Sequence, residues 1–243
     1  MIIITALIIL VMKEAGEKMQ MIYHSNPVDR VFVSWSGGKD SYLSMLMARE
    51  QGLDIACLLS FVGSDGYSRS HGLKTAMLRQ QAKALGLPLQ TEEVSWESYE
   101  TGFERAVRML KEKYLITGGV FGDINLEEHR QWVDKMTKRC GIDYNLPLWL
   151  MEERAVSEEL LKRGGKALIV AIRSDLVDQR WLGRIMDHDY IEYCVSIGIS
   201  PCGEGGEAHT LVVDGPGFVQ PLDYQIGSVR TKENHSRLEV SVD

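Results

Sequence analysis

The amino-acid sequence predicts an α/β fold in which a parallel β-sheet is flanked by helices. Short apolar runs alternate with amphipathic segments from residue 31 to residue 149, which is the rhythm of repeated strand–helix–strand units. Two runs, at 31–35 (VFVSW) and 55–62 (IACLLSFV), are almost entirely apolar, as parallel strands buried on both faces are. A loop with two adjacent glycines lies between the first strand and the first helix.

The elements of this first part follow from apolar spacing and from helix stops. Residues 41–51 place Leu43, Leu46 and Met47 on one stripe and end before Gly52, which predicts a helix. The further predicted elements are, in order, a helix at 73–85, a strand at 89–94, a helix carrying Phe103, Ala106, Val107, Leu110 and Tyr114, a strand at 119–121, a helix with Trp132, Val133, Met136 and Cys140 on its inner face, and a strand that ends at 147–149.

After Trp149 the pattern changes and predicts a smaller C-terminal α+β domain. Its elements are a helix at 157–162, an apolar strand at 167–172, a segment at 181–185, a helix through 191–195, and strand-like stretches at 210–213 and within 219–242. We therefore place a boundary near Trp149. No low-complexity linker separates the two parts, so we expect them to share an interface.

The N-terminus begins with an apolar run at 1–12 (MIIITALIILVM). This run is shorter than the ~20 residues that span a bilayer, and its charges follow it, unlike those of a signal peptide. We expect a dispensable extension at 1–21, read from an upstream start codon, with a packed terminal strand or helix as the alternative. The predicted domains are then 22–149 and 150–243.

Composition excludes several classes of protein. The net charge of -7 and the pI near 5.5 give no general attraction to nucleic acid or to anionic membranes. Hydrophobic content of 44% and charged content of 25% are those of a folded soluble protein. The four cysteines form no Cys-x-x-Cys pair, so we expect a reduced, cytoplasmic protein. The sequence leaves open whether the chain forms a homodimer.

The strongest motif is Ser36-Gly37-Gly38-Lys39-Asp40-Ser41, directly between a predicted strand and a predicted helix. Adjacent glycines let backbone N–H groups converge on a phosphate, and the helix N-terminus adds partial positive charge. The two serine hydroxyls and the Lys39 ammonium add further donors. The kinase-type P-loop pattern does not occur in the chain, so a different phosphate chemistry is expected. The alternative is a chance Gly-Gly turn.

A second motif, Gly118-Gly-Val-Phe-Gly122-Asp123-Ile124, follows a strand on the other side of the switch point of the sheet, where such sheets bind ligands. Asp123 is a candidate for binding a metal, a ribose or an incoming amine. It, or Asn125, is equally well read as the N-cap of the next helix, and the two roles are compatible.

A third motif, residues 201–210 (PCGEGGEAHT), carries two carboxylates around paired glycines. A strand-like stretch follows it, so it is not the dinucleotide-binding pattern that its glycine spacing suggests. Such a loop suits close approach to a substrate, with Glu204 and Glu207 presented to ammonium, an amine or Mg²⁺. The alternative is an exposed acidic turn.

Together these motifs resemble the diphthine–ammonia ligase family of PP-loop (N-type) ATP pyrophosphatases, over about residues 30–214. The residues that carry the likeness are 36–41, 122–124, Arg130, 140–141, 147–149, 181–184 with Asp187, and 204–207 with Thr210. The resemblance implies a HUP-type, Rossmann-like ATP-binding domain followed by a substrate domain. It also implies amidation of diphthine on translation elongation factor 2, through an acyl-adenylate that ammonia attacks, with ATP consumed to AMP and pyrophosphate.

The predicted site residues have separate roles. Lys39 and the loop backbone would neutralise pyrophosphate, Asp40 would hold Mg²⁺, and Arg184 would grip the substrate carboxylate. Glu204 or Glu207 would position or deprotonate ammonium. Further candidates for nucleotide contact are Ser60, Phe61 and Gly122, and those for substrate contact are Trp181, Gly205, Gly206, His209 and Thr210, although Trp181 and Trp149 are better read as packing between the domains.

One alternative function lacks its sequence signature, and two others stay open. A PP-loop sulfurtransferase acting on tRNA would need a catalytic cysteine pair and a basic face, and the sequence has neither. A divergent ligase could adenylate or amidate a different carboxylate. A nucleotide-sensing module would hold ATP or AMP without turnover. The sequence has no room for a glutaminase domain, so we expect free ammonia or an amine as the donor.

Overall fold

A computed structural model of the protein describes residues 29–242. The first half of this range forms a five-stranded sheet in the order β3-β2-β1-β4-β5, with every pair parallel. Its elements are β1 (Arg30–Ser34), α1 (Lys39–Glu50), β2 (Asp54–Val62), α2 (Thr75–Ala84), β3 (Leu89–Glu93), α3 (Tyr99–Tyr114), β4 (Gly118–Val120), α4 (Glu127–Cys140) and β5 (Asp143–Asn145). The predicted α/β fold with a Rossmann-like parallel sheet is confirmed.

The strand order places a topological switch between β1 and β4. The chain builds the sheet outward from β1 through β2 to β3, and then returns to the other side of β1. Helices that follow β1 and β4 therefore leave the sheet on opposite faces and open a crevice at the carboxyl ends of these strands. The loop at 36–41 follows β1, and Gly122-Asp123 follows β4, so both motifs lie at this crevice.

The second half forms a four-stranded antiparallel sheet in the order β7-β6-β9-β8. Its elements are α5 (Glu153–Lys162), β6 (Lys166–Arg173), a single 3-10 turn (Gln179–Trp181), α6 (His188–Ser196), β7 (Ala208–Asp214), β8 (Gln225–Lys232) and β9 (His235–Ser241). β6 is buried along most of its length, which fits its continuous apolar sequence. β8 is the exposed edge strand.

The two sheets share one apolar core. A single buried cluster contains β1 and α1 side chains of the first sheet together with β6 and β7 side chains of the second. The other face of the parallel sheet packs a separate cluster, centred on Phe32 and Phe103, against α3 and α4. The expected interface between the two parts is therefore continuous with the main core.

The prediction of a strand that ends at 147–149 is wrong in position. β5 ends at Asn145, and Leu148 lies in a turn as a buried anchor of the main core. Leu150 then has a φ of +60°, which no strand residue adopts. The apolar run is explained by packing of one turn residue. α5 also begins earlier than predicted, because the Glu152 carboxylate accepts hydrogen bonds from the N–H groups of Arg154 and Ala155.

None of the helices in residues 29–242 is long and apolar enough to cross a membrane. The predicted extension at 1–21 lies outside the described residues.

Candidate active site

The loop at 36–41 runs from the carboxyl end of β1 into the first turn of α1. Gly38 directly precedes the helix and has no side chain with which to cap it. Gly37 has a φ of +81°, a conformation that favours glycine. Ser36 Oγ accepts a hydrogen bond from Gly38 N–H (3.2 Å) and lies 3.0 Å from Ser41 Oγ. The hydroxyl groups thus hold the turn that presents the helix N-terminus.

Lys39 is the buried cation of this loop. Its side chain is 5% exposed, and Nζ lies 2.7 Å from both carboxylate oxygens of Asp40. Nζ also donates to the Cys202 carbonyl at 2.5 Å. Burial alone would lower the pKa of Lys39, but the combined attraction of Asp40, Cys202 and Glu204 outweighs it, and the pKa lies above its ordinary value. Lys39 therefore keeps its charge in the crevice.

Gln81 of α2 ties the loop to the second sheet. Its Nε2 donates to the carbonyls of Gly37 (2.8 Å) and Val212 (2.7 Å), while its Oε1 accepts from Trp35 Nε1 (3.0 Å). Val212 N–H of β7 also donates to the Gly37 carbonyl, at 3.0 Å. Gln81 is fully buried. No sequence motif marks this residue, because its three partners lie in two distant segments of the chain, at 35–37 and at Val212.

β7 also contacts the loop through Thr210. Its Oγ1 accepts a hydrogen bond from Lys39 N–H at 3.1 Å, so Thr210 supplies the cap that Gly38 cannot. Thr210, predicted as a substrate contact, is buried and acts in this structure on the loop itself.

Ser60 and Phe61, predicted to contact the nucleotide, lie near the end of β2. Ser60 is buried, and its Oγ donates to the Trp35 carbonyl at 2.6 Å, directly before the loop. Phe61 is buried and stacks on Phe103, with ring centroids 6.0 Å apart. Both side chains make their contacts within the protein. Their contact with a nucleotide stays a prediction.

Acidic side chains gather on the opposite side of the crevice. Asp123 Oδ1 lies 3.0 Å from His129 Nδ1, and this hydrogen bond raises the pKa of His129. α4 begins after Leu126 with no side-chain cap, and Asn125 bonds Glu153, so the N-cap reading of Asp123 and Asn125 is wrong. Asp123 therefore lies at the crevice with its carboxylate bonded to His129, and its contact with a metal, a ribose or an amine stays a prediction.

Glu204 belongs to this acidic group. Burial, and then repulsion from Asp40 and Asp123, raise the pKa of Glu204 to about 7, although Lys39 opposes the shift. A carboxyl group with this pKa exchanges protons readily near neutral pH, as a general base must. The structure therefore brings the acidic glycine loop to the phosphate loop, and the role of Glu204 toward ammonium stays a prediction.

Glu207 lies on the other side of the same loop. Its side chain is buried with Oε2 unpartnered, beneath Gly205, where an added Cβ would lie 2.7 Å from Glu207 Oε1. Its charge acts on Tyr190 and Cys194 of α6, whose pKa values it helps to raise. Glu204 and Glu207 therefore do not face one ligand together, in contrast to the paired role expected of them.

His71 is a second residue of the site that no sequence motif marks. A Cβ on Gly38 would overlap the His71 ring, so the ring lies directly on the phosphate loop. Its Nδ1 is 3.1 Å from the Thr210 carbonyl, and its ring lies 4.8 Å from that of His209. Arg237 of β9 holds the loop before α2 by donating to the carbonyls of His71 (2.9 Å) and Gly72 (2.6 Å).

Trp181 and Arg184 are not brought to the phosphate loop. Trp181 is 3% exposed and packs edge-on against Tyr190, with ring centroids 5.3 Å apart, so it is a core residue. Arg184 lies over Trp181 and pairs with Asp187 at 3.4 Å. Its carbonyl accepts from Ile169 of β6, and Ile169 pairs with Thr210 on its other side, so a whole strand separates Arg184 from β7.

The donors at the crevice suit a phosphate group. The loop offers a helix N-terminus and a buried ammonium, and a Cβ on Gly122 would come within 3.0 Å of Ser41 N, so only glycine leaves this approach open. Mg²⁺ prefers carboxylate and phosphate oxygens. Within residues 29–242 no three acidic, His or Cys side chains converge to hold a metal by themselves. Asp40 would hold Mg²⁺ together with phosphate oxygens.

Comparisons with known proteins cover both halves of the chain. The family model for the diphthamide synthase N-terminal domain matches residues 29–144, and that for the diphthamide synthase C-terminal domain matches 147–237. The diphthine–ammonia ligase of Mus musculus is 27% identical over 218 residues, which cover 79% of this chain and 82% of that protein. The Homo sapiens ligase is 26% identical over the same shares.

Among solved structures, the U34-tRNA thiolase NcsA from Methanococcus maripaludis matches with a TM-score of 0.34 and 13% identity, over 55% of this chain and 56% of that one. This likeness is too low to bear on function.

Proposed function

The chain belongs to the diphthamide synthase family, and we propose that it is an ATP-dependent ligase that joins a carboxylate to ammonia and releases AMP and pyrophosphate. Its relatives named above are diphthine–ammonia ligases. The acceptor proposed for this chain is accordingly diphthine on elongation factor 2, or another carboxylate if this chain has diverged. Cytoplasmic location and a homodimer stay predictions.

The observation that carries the proposal is the meeting of a phosphate loop and a proton-accepting carboxyl group in one crevice. Lys39 supplies the positive charge at the loop, and Glu204 lies close enough to Lys39 and Asp40 for their charges to shift the pKa of its carboxyl group. The two groups come from different sheets, and the bonds from Lys39 to Cys202 and Thr210 hold them together. Nucleotide activation and amine chemistry can therefore share one site.

In the first half-reaction, a carboxylate oxygen of the acceptor attacks the α-phosphorus of ATP and pyrophosphate leaves. The loop backbone, the N-terminus of α1 and Lys39 stabilise the negative charge that grows on pyrophosphate. Mg²⁺, when bound, supplies further neutralisation of the phosphates. Because Lys39 and Asp40 are held before any ligand arrives, little reorganisation is needed during the reaction.

In the second half-reaction, ammonia attacks the acyl carbon and AMP leaves. The attacking nitrogen must lose a proton, and Glu204 in its ionised form accepts it. AMP is a good leaving group, whereas the original carboxylate oxygen is not. Adenylation therefore makes an amide bond accessible at neutral pH.

The first test compares Lys39→Ala with Lys83→Ala, which changes an exposed lysine of α2. With ATP, ammonium and elongation factor 2 carrying diphthine, Lys39→Ala should lower AMP formation at least tenfold, about 1.4 kcal/mol of transition-state stabilisation. Lys83→Ala should match the unaltered chain. Products would be separated by ion-exchange chromatography. Release of ADP and phosphate, or ATP binding without turnover of any carboxylate, would contradict the proposal.

The second test separates the two acidic residues of the glycine loop. Glu204→Gln should slow amide formation at least tenfold, about 1.4 kcal/mol, while leaving the affinity for a nonhydrolysable ATP analogue within about twofold. Because the pKa of Glu204 is about 7, the rate in the unaltered chain, measured at a constant concentration of free ammonia, should rise as the pH is raised through that value. Glu204→Gln should lose this rise.

Glu207→Gln is the matched control, since this carboxylate is buried toward α6. It should keep both the amidation rate and its pH dependence in rapid-quench measurements. Equal losses in the two variants would show that the loop acts as a unit and that Glu204 is not the base.

A further inference from the structure

A second cavity adjoins the crevice on the side of the acidic glycine loop. It has a volume of about 330 Å³ and is lined by Gly205, Gly206 and His209, by Arg173, and by the turn between β8 and β9 at residues 233–235. This volume lies at the lower end of the range for small-ligand pockets, so it suits a side-chain-sized group better than a nucleotide. Three of its lining residues are among those predicted to contact substrate.

Arg173 is the permanent cation of this cavity. It ends β6, where its N–H donates to the Glu207 carbonyl at 2.9 Å and its backbone pairs with His235. Its Nε and Nη2 contact the Asp175 carboxylate at 3.3 and 2.8 Å, on the surface. Because such exposed pairs are weak and a guanidinium has five N–H groups, the Nη1 end stays available to a ligand.

The cavity and the phosphate loop share a wall. His209 lines the cavity, and its ring lies tilted against that of His71, which in turn lies on Gly38 of the loop. Glu204 and the two glycines of the cavity belong to one short loop, so the proposed base lies one residue from the cavity wall. A group seated in the cavity is thus adjacent to the place where phosphate and base meet.

We propose that this cavity binds the carboxylate end of the acceptor and that Arg173, not Arg184, recognises the carboxylate. Arg184 lines a different cavity with Trp181 and Tyr193, across β6 from β7. A guanidinium and a carboxylate form short, charge-assisted and often bidentate hydrogen bonds, which an amide of the same shape cannot match. The ligand's role as acceptor rests on the proposed function, whereas recognition of a carboxylate by Arg173 does not.

The test uses butyrate and butyramide, which have nearly the same size and differ in charge. Their binding is followed by NMR through the amide signals of Gly205 and Gly206, at about pH 8, above the ordinary pKa of histidine. In the unaltered chain butyrate should bind at least tenfold more tightly than butyramide, which corresponds to about 1.4 kcal/mol. Arg173→Gln should abolish this preference, and Arg184→Gln should retain it.

Asp175→Asn gives a change in the opposite direction. It removes the carboxylate that competes for the guanidinium, so butyrate should bind more tightly than in the unaltered chain. Retention of the preference in Arg173→Gln, its loss in Arg184→Gln, or equal binding of acid and amide in the unaltered chain would overturn the proposal. This binding test contains no ATP, so its outcome does not depend on AMP formation. Failure of the chain to form AMP would contradict the proposed function, and recognition of a carboxylate by Arg173 would still stand.

Discussion

At the scale of single residues, the protonation of His71 and His209 decides which charges surround the phosphate loop. Burial lowers the pKa of His71 to about 4 and that of His209 to about 3, and the positive charges of Lys39 and Arg237 act in the same direction. Both rings are therefore neutral near pH 7. Since the Thr210 carbonyl can only accept, the proton of His71 is assigned to Nδ1.

These pKa values predict how stability depends on pH. The unfolded chain protonates its histidines near pH 6.5, whereas the folded chain resists protonation of this pair down to about pH 4. Acidification from about pH 7 to about pH 4 therefore favours unfolding. Replacing both residues, as His71→Gln with His209→Gln, should make the loss of unfolding free energy over this range smaller, as measured by urea denaturation.

His188→Gln is the control for this pair, because His188 is an exposed residue at the start of α6. It should leave the pH dependence close to that of the unaltered chain. An unchanged slope in the double variant would mean that the two rings are protonated as easily in the folded chain as in the unfolded one.

At the scale of elements, the phosphate loop is shaped by α2 and β7 as well as by β1 and α1. Gln81 uses both of its N–H groups and its carbonyl to join Gly37, Val212 and Trp35. Thr210 and Val212 on β7 add backbone and side-chain bonds to the same loop. The second sheet therefore sets the geometry of a motif that belongs to the first.

Gln81→Met, which has a similar volume and no hydrogen-bonding amide, tests this coupling. The Val212 carbonyl would lose its amide donor and Trp35 Nε1 its acceptor, which should lower the free energy of unfolding by about 1–3 kcal/mol. Affinity for a nonhydrolysable ATP analogue, measured by calorimetry, should fall at least fivefold, about 1 kcal/mol. Lys83→Met on the exposed face of α2 should change neither quantity.

Gln81→Glu separates the contribution of the amide donor of Gln81 from that of its acceptor oxygen. It keeps an acceptor for Trp35 and removes the donor to Gly37 and Val212, so it should share the loss of nucleotide affinity. A variant that is destabilised but binds the analogue normally would reduce Gln81 to a structural residue.

At the scale of the whole molecule, the two sheets do not have separate cores. Tyr42 of α1 donates to the Pro216 carbonyl at 2.9 Å and packs edge-on against Phe218, with ring centroids 5.8 Å apart. Val219 N–H donates to the Ala84 carbonyl at the end of α2, at 2.8 Å. The segment after β7 thus closes over the helices of the first sheet.

A polypeptide of residues 22–149 should therefore not fold by itself. Each large apolar side chain of the shared core left in water forgoes roughly 1.5–3 kcal/mol, and several would be exposed at once. Calorimetry should show no cooperative unfolding of this piece, and co-expression with residues 150–243 should restore it. A cooperative transition near that of the full chain would instead make residues 22–149 an independent domain, as the predicted boundary allows.

The sequence by itself determined the parallel sheet, the order of most elements and the place of the phosphate loop. These features depend on local spacing: apolar runs mark buried strands, helical stripes mark amphipathic helices, and consecutive glycines bend a loop whatever lies beyond it. The prediction of a strand ending at 147–149 was wrong because local spacing cannot distinguish a strand from a turn with a buried anchor. One buried side chain, Leu148, accounts for this apolar run.

Only the tertiary structure decided which side chains meet. Gln81 and His71 reach the phosphate loop across segments far apart in the chain, and Glu204 and Glu207, three residues apart, separate to opposite sides of one loop. Arg173 lines the cavity of the acidic glycine loop, whereas Arg184 lies across a strand. Such contacts depend on how two sheets pack over a shared core, and no local pattern in the chain encodes that packing.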